Sequence, residues 1–133
     1  MRAALDGKQG CNYRVEMSTG GRHQVMESLT RAVAAYIRSD GPRSSVTRVY
    51  IGIASGPDAV SAMKRRYDDY KFDEGINEMV AIYESTSQDF ARAVEADLEK
   101  IFREQLVNRT GGGGGRDSQG PNFYVYLAMR KWG

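Results

Sequence analysis

Segments with helical periodicity alternate with strand-like segments along this chain, and this alternation limits its fold more than any other feature. Apolar residues recur at helical spacing over residues 20–38, 55–71 and 85–106. Alternating or β-branched residues predict strands at 46–54, 76–84 and 122–132. Each strand carries at least one apolar face that another layer must cover. The sequence therefore predicts an α+β fold in which two or three helices cover a small mixed or antiparallel sheet.

The same periodicities assign side chains to faces. In the first predicted strand, alternation separates one set of residues from the other: Val49, Ile51 and Ile53 against Tyr50, Gly52 and Ala54. The third helix is expected to leave Glu95 on the flank of a buried stripe formed by Phe90, Val94, Leu98, Ile101 and Phe102. Ser55 and Ser87 are the predicted N-caps of the second and third helices.

Length and composition indicate one globular domain. The chain has 133 residues, of which 41% are hydrophobic and 27% charged. We place the domain at 17–133, after an N-terminal arm at 1–16. The single cysteine, Cys11, excludes an internal disulfide and a cysteine-ligated zinc site. Because His23 is the only histidine, we expect no bound metal and no cofactor.

Charge and hydropathy limit the class of partner. The net charge of +2 is too small for the electrostatic footprint of a dedicated duplex-DNA binder. No run approaches the roughly 18–20 apolar residues that a membrane span requires, and the opening residues lack the apolar core of a signal peptide. We therefore expect a cytoplasmic, soluble protein with no membrane partner and no duplex-DNA partner.

A glycine run is the clearest low-complexity feature, and we predict a flexible loop at 110–120 around it. Five glycines follow one another at 111–115, and glycine amides such as those of Gly112 and Gly113 can approach an anion closely. Arg109 and Arg116 bracket the run, so that closure of the loop would bring two guanidinium groups onto a phosphate. The alternative is a plain flexible linker. No Lys-Ser/Thr pair follows the glycines, so this is not a Walker loop.

Further candidate site residues lie on the predicted strand and helices. Gly52 leaves room beside Tyr50 for a ligand or a neighbouring backbone; the alternative is a strand bend with Tyr50 in the core. Arg65 and Arg66 point about 100° apart on their helix, so at most one of them faces a site. The alternative for both is a solvated pair beside Asp68 or Asp69.

Glu95 is the candidate acidic residue on the third helix. Its carboxylate could hold a divalent ion or accept hydrogen bonds from a ribose hydroxyl. Arg92 lies three residues before it and Glu99 four residues after it. A solvated charged helix face explains this spacing equally well.

The order of VYIG at 49–52, KRR at 64–66, MVAIYES, ARAVEADLEKIF and Asn108 resembles the second half of the GIY-YIG endonuclease domain. The resemblance implies a metal-dependent DNA endonuclease. It would make Tyr50 a catalytic tyrosine, Arg65 or Arg66 the arginine that stabilises the phosphate, Glu95 the metal ligand and Asn108 a residue that shapes the site. The GIY strand of that family is missing here, and Tyr124 or Tyr126 of the last strand would have to replace its tyrosine.

In size and layout the chain is also similar to the Thoeris anti-defence 1 family of phage proteins, which have a helix before the sheet and a flexible loop with arginines. This resemblance implies a homo-oligomeric sponge, a dimer or a hexamer, that sequesters nucleotide immune signals in the bacterial cytoplasm without cleaving them. The implied ligands are cyclic ADP-ribose isomers and, as a further class, cyclic oligonucleotides. The implied ligand-binding residues are Arg65, Phe90, Asn108, Arg109 and Arg116, with Phe90 stacking on the base.

Between these two functions, the residue types favour binding over turnover. Arginines, aromatic rings and glycine amides can hold a nucleotide, whereas the candidate site contains no histidine and no clear group for activating water. We therefore predict a binding protein and not an enzyme, with Tyr50, Arg66 and the glycine run completing its ligand site. The GIY-YIG-like nuclease is the alternative.

Overall fold

The computed structural model describes residues 11–17, 22–37, 46–67, 76–104, 106 and 121–131. Its strands are β1 (Asn12–Val15), β2 (Val46–Gly56), β3 (Glu78–Ser85) and β4 (Asn122–Lys131). Its helices are α1 (Arg22–Ile37), α2 (Ala59–Tyr67) and α3 (Gln88–Ile101). Three helices and a four-stranded mixed sheet confirm the predicted α+β class. No helix in these described ranges is long and apolar enough to cross a membrane.

The last strand of the chain lies inside the sheet. The strand order is β1-β3-β4-β2, and β4 pairs antiparallel with both β2 and β3. Because both neighbours run opposite to β4, β2 and β3 point the same way and end at one edge of the sheet. Helices α2 and α3 follow these two strands, and β4 begins at the same edge. Residues 123–129 of β4 are buried on both faces.

Part of the predicted N-terminal arm belongs to the sheet. Strand β1 adds to the outer edge of β3 in parallel, with Tyr13 opposite Met79. The Arg14 guanidinium donates to the buried carboxylate of Glu78 at 2.7 Å. Residues 12–15 therefore complete the sheet, whereas residues 1–10 lie outside the described part.

The two faces of the sheet differ in chemistry. Helices α1 and α3 cover one of them, which we call the aliphatic face, and its buried side chains include Leu29, Val33, Ile51, Val94, Leu98, Val125 and Leu127. Helix α2 covers the other, which we call the tyrosine face, with Ala54, Met63, Met79, Ala81, Tyr124, Tyr126 and Ala128. The predicted separation of Val49, Ile51 and Ile53 from Tyr50, Gly52 and Ala54 is confirmed.

On the tyrosine face, each large ring stands opposite a small residue of the neighbouring strand. The cross-strand pairs of β2 and β4 are Tyr50 with Ala128, Gly52 with Tyr126 and Ala54 with Tyr124. Directly opposed side chains share limited space, so a ring on one strand needs a small partner on the other. This large-to-small pairing lets three phenols lie on one narrow face.

The predicted buried stripe of α3 is right at Val94, Leu98 and Phe102 and wrong at Phe90 and Ile101. Phe90 is 57% exposed and Ile101 is 50% exposed, whereas Glu95 is only 8% exposed. At about 100° per residue, Phe90 and Ile101 point within roughly 20° of each other, on one flank of the buried positions Ala91, Val94 and Leu98. Small Ala91 lets the helix approach the sheet, and this orientation places Glu95 in the interface instead.

The predicted caps were right for one helix and wrong for the other. The Ser87 hydroxyl accepts a hydrogen bond from the Phe90 amide at 3.2 Å and caps α3 as predicted. Ser55 lies within β2, before the start of α2. Asp58 performs this role for α2, because its carboxylate accepts from the Ser61 amide at 2.8 Å.

Candidate functional site

The tyrosine face carries arginines from two strands and one helix. Arg48 of β2 and Arg130 of β4 are direct cross-strand partners in the row next to Tyr50 and Ala128. Like charges directly opposed on neighbouring strands repel each other. Arg66 reaches the same face from α2. We call Arg48, Tyr50, Arg66, Tyr126 and Arg130 the arginine–tyrosine cluster.

Two hydrogen bonds join guanidinium groups of this cluster to phenols. Arg48 Nη1 donates to the Tyr50 hydroxyl at 3.2 Å, and Arg66 Nε donates to the Tyr126 hydroxyl at 3.4 Å. Tyr50 is half-buried, whereas Tyr126 is fully buried. The phenol oxygens therefore hold two cationic side chains over the sheet.

The space beside Gly52 is filled by protein. A Cβ placed on Gly52 would lie 2.4 Å from the Tyr126 hydroxyl oxygen and 2.7 Å from its Cζ atom. The Tyr126 phenol therefore occupies the room that the sequence predicted beside Gly52 for a ligand or a neighbouring backbone. Tyr50 and Tyr126 are diagonal neighbours, with Cβ atoms typically about 7–8 Å apart in such pairs. Arg48 and Arg66 are thus hydrogen-bonded to phenols that are diagonal neighbours on one face of the sheet.

The structure separates the two adjacent helix arginines. The exposed Arg65 donates through Nη1 to the backbone carbonyl of Ser55 at 3.4 Å, near the start of α2. Arg66 is half-buried and bonds to Tyr126. Of the pair, Arg66 therefore belongs to the arginine–tyrosine cluster and Arg65 does not.

Glu95 is a buried carboxyl on α3. Burial and, to a smaller extent, the nearby charge of Glu99 raise its pKa to about 7, while Arg92 and Arg66 act in the opposite direction. Its Oε2 atom is buried without a hydrogen-bond partner, and so is Oε2 of Glu99, whose pKa burial also raises. The charge of Arg66 thus links Glu95 electrostatically to the cluster.

The described residues offer little for a metal ion. They contain no group of three or more histidine, cysteine, aspartate or glutamate side chains arranged to hold one. A divalent cation here would take as ligands the buried, unpartnered oxygens of Glu95 and Glu99, which are one helical turn apart. Water or a ligand would have to supply its remaining contacts.

Among the remaining predicted site residues, the structure describes Phe90, which does not lie at this cluster. Phe90 lies in the first turn of α3, a helix that packs on the opposite face of the sheet from Tyr50. Asn108, Arg109, Gly112, Gly113 and Arg116 lie outside the described residues. Strand β4, which follows the glycine run in the chain, begins at the edge where β2 and β3 end.

Sequence reasoning missed Arg48 and Arg130, and it considered Tyr126 only as a replacement tyrosine. Period-two alternation was a signal for them, since Arg48 is two residues from Tyr50 and Arg130 is four residues from Tyr126. Alternation places each residue on a face of its own strand. It does not reveal the register that sets Arg48 against Arg130 and Gly52 against Tyr126.

No protein-family model matches this chain, and neither a curated protein nor a solved structure matches it. The resemblances to the GIY-YIG domain and to the Thoeris anti-defence 1 family stay predictions. We therefore infer the function from the geometry of the arginine–tyrosine cluster.

Proposed function

We propose that the protein binds a small phosphorylated ligand at the arginine–tyrosine cluster and retains it without cleaving it. One observation carries this proposal: Arg48 and Arg66, from different elements, are each held by a phenol hydroxyl on the same face of the sheet. Guanidinium groups donate paired, planar hydrogen bonds that match phosphate oxygens. Because the arginines are oriented before a ligand arrives, less conformational freedom is lost on binding.

The ligand class that we favour is a cyclic nucleotide. Half-buried Tyr50 lies between the arginines and offers a ring on which a base can stack. The layout shared with the Thoeris anti-defence 1 family supports cyclic ADP-ribose isomers as ligands, with cyclic oligonucleotides as a further class. On this proposal, the protein is a homo-oligomeric phage sponge that sequesters immune signals in the bacterial cytoplasm. Tyr50 takes the stacking role that the resemblance implied for Phe90.

Titration calorimetry with cyclic ADP-ribose isomers tests the proposal. We expect the wild-type protein to bind one isomer and Arg66→Ala to bind it at least about tenfold more weakly, because a hydrogen bond to a charged group contributes roughly 1.5–3 kcal/mol. Arg65→Ala should have the smaller effect of the two neighbours. Arg31→Ala, an exposed change on α1, controls for the loss of one positive charge.

The fate of the ligand separates retention from turnover. After incubation, the protein is denatured by heat and the released nucleotide is separated by chromatography. A sponge releases the same isomer that was added. Absence of binding by every cyclic ADP-ribose isomer and cyclic dinucleotide tested, or release of a cleaved product, contradicts the proposal.

A GIY-YIG-like nuclease is the second candidate, and two observations favour it. Tyr126 lies against Gly52 of the VYIG segment and contacts Arg66, where a second tyrosine would be needed. Glu95 is buried with an unpartnered oxygen and is influenced by the Arg66 charge. A divalent ion held by Glu95 would polarise the phosphate, while Arg66 would bind its oxygens and Tyr50 would lie beside it.

Nicking of supercoiled DNA in the presence of Mg²⁺ tests this second candidate. A nuclease should lose nicking with Glu95→Gln and keep it with Glu104→Gln, which changes an exposed carboxylate just after the end of α3. Undiminished nicking by Glu95→Gln would point to a contaminant and would remove this candidate.

A further inference from the structure

Two glycines of β2 differ in what surrounds them. Both have extended backbones and neither has a positive φ that would require glycine. A Cβ on Gly56 would meet the Ala62 Cβ at 3.5 Å, an ordinary van der Waals contact. A Cβ on Gly52 would lie 2.4 Å from the Tyr126 hydroxyl oxygen. Only at Gly52, therefore, does the absence of a side chain determine where a neighbouring side chain lies.

The side chain beside Gly52 is that of Tyr126, which also contacts Arg66. Tyr126 is fully buried, with its ring lying across the backbone of β2 at Gly52. Its hydroxyl accepts a hydrogen bond from Arg66 Nε at 3.4 Å. Any side chain at position 52 would push the phenol away from this place, and the hydroxyl would move with it.

We propose that Gly52 and Tyr126 form a positioning pair for Arg66: the missing side chain admits the phenol, and the phenol hydroxyl fixes the guanidinium over the sheet. The ligand-binding consequence rests on the proposed function. Arginine has several rotatable bonds, and orienting it in advance reduces the conformational freedom that is lost when an anion binds. Neither Gly52 nor the Tyr126 ring needs to touch the ligand.

Binding of inorganic pyrophosphate, measured by calorimetry, tests the effect on affinity. We expect Tyr126→Phe, which keeps the ring and removes the hydroxyl, to weaken binding about five- to tenfold. A loss of this size corresponds to the net contribution of one hydrogen bond. Gly52→Ala should weaken binding at least as much, whereas the matched control Gly56→Ala should leave it within about twofold of wild type. In the double variant Gly52→Ala/Tyr126→Phe, the two losses should not add, because both act through one contact.

The Arg66 Nε–H resonance gives a readout that a general loss of stability would not produce. In ¹⁵N spectra assigned with Arg66→Lys, Tyr126→Phe should shift this resonance and increase its exchange with water, while Gly56→Ala should not. If Gly52→Ala fails to fold, Tyr126→Phe alone still tests the positioning pair.

The outcomes distinguish the positioning pair from the proposed function. If wild-type protein binds no pyrophosphate and no nucleotide, the proposed function fails, yet the Arg66 resonance still decides whether Gly52 and Tyr126 position Arg66. If wild type binds pyrophosphate but Tyr126→Phe leaves both affinity and the Arg66 resonance unchanged, the positioning pair is wrong and the proposed function stands.

Discussion

The two faces of the sheet perform different tasks with the same four strands. The aliphatic face is covered by two helices of 16 and 14 residues, and branched apolar side chains interlock there. The tyrosine face is covered by one helix of 9 residues and combines alanines, a glycine and methionines with phenols. Burial of large apolar groups stabilises a fold in proportion to the area removed from water. The aliphatic face is therefore the main source of stability.

The tyrosine face uses its side chains in another way. A buried phenol contributes apolar ring area and keeps a hydroxyl that needs a hydrogen-bond partner. At Tyr50 and Tyr126 that partner is an arginine. Because the opposing residues are small, the rings fit without a second covering helix. A face built in this way can hold charged groups near a ligand while the buried side chains beneath them stay packed.

The largest expected effect lies on the aliphatic face. Leu127→Ala removes a fully buried side chain from the central strand and should lower the free energy of unfolding by about 3 kcal/mol, because it leaves a cavity. Urea denaturation measures this loss. Affinity for pyrophosphate, corrected for the folded fraction, should not change. A tenfold fall in that corrected affinity would show that the two faces are not separate in function.

The next effect concerns Glu95, a charged group buried at the α3 interface. Its pKa is about 7 in the folded protein against an ordinary 4.5, so the unfolded chain ionises first as the pH rises. Stability is therefore full below pH 4.5 and falls as the pH rises from there through 7, by about 3 kcal/mol for a shift of this size. Glu95→Gln removes this fall.

Paired urea denaturation at pH 4.5 and pH 8 measures the difference between wild type and Glu95→Gln. The advantage of Glu95→Gln should grow by about 3 kcal/mol between the two pH values. Glu104→Gln, an exposed change, should show no such growth. An advantage that is equal at both pH values would show that Glu95 ionises normally in the folded protein.

A smaller loss of stability is expected at Ala128, which follows Leu127 in β4 and faces the tyrosine side of the sheet. Ala128 is fully buried opposite Tyr50, and Ala128→Leu should cost about 1–2 kcal/mol because it overfills the space beside the ring. Adjacent positions on one strand thus lose stability for opposite reasons, a cavity on one face and crowding on the other. If Ala128→Leu stabilised the protein in urea, the close large-to-small pairing would be disproved.

The smallest effect is expected at Phe90. Because this ring is 57% exposed, Phe90→Ser should change the free energy of unfolding by less than about 0.5 kcal/mol. Leu98→Ala, on the buried side of the same helix, should cost several times more. Equal losses for the two variants would restore the stripe that periodicity predicted for α3.

The sequence predicted the class of fold, its order of elements and the sorting of most strand residues. Val49, Ile51 and Ile53 fell on one face and Tyr50 on the other, because alternation is a local property of a strand. Along α3, the sequence predicted the burial of Leu98 but not the exposure of Phe90. Phe90 and Leu98 both look apolar in sequence, and only the way the helix lies on the sheet exposes the first and buries the second.

The candidate site was predictable in its residue types and not in its arrangement. Sequence singled out Tyr50, Gly52 and the Arg65–Arg66 pair, which lie close together in the chain. Arg130 and Tyr126 come from the last strand, some seventy residues away, and join the site through the pairing of β2 with β4. Local patterns carry no information about such a distant register.

Periodicity by itself predicted the three helices and the last three strands of the part of the chain that the structure describes, because hydrophobic spacing acts within each element. Tertiary structure alone decided that Gly52 lies beneath Tyr126, that Arg66 rather than Arg65 meets its hydroxyl, and that Glu95 is buried. These placements depend on strand register and helix orientation, which are fixed by packing between distant parts of the chain.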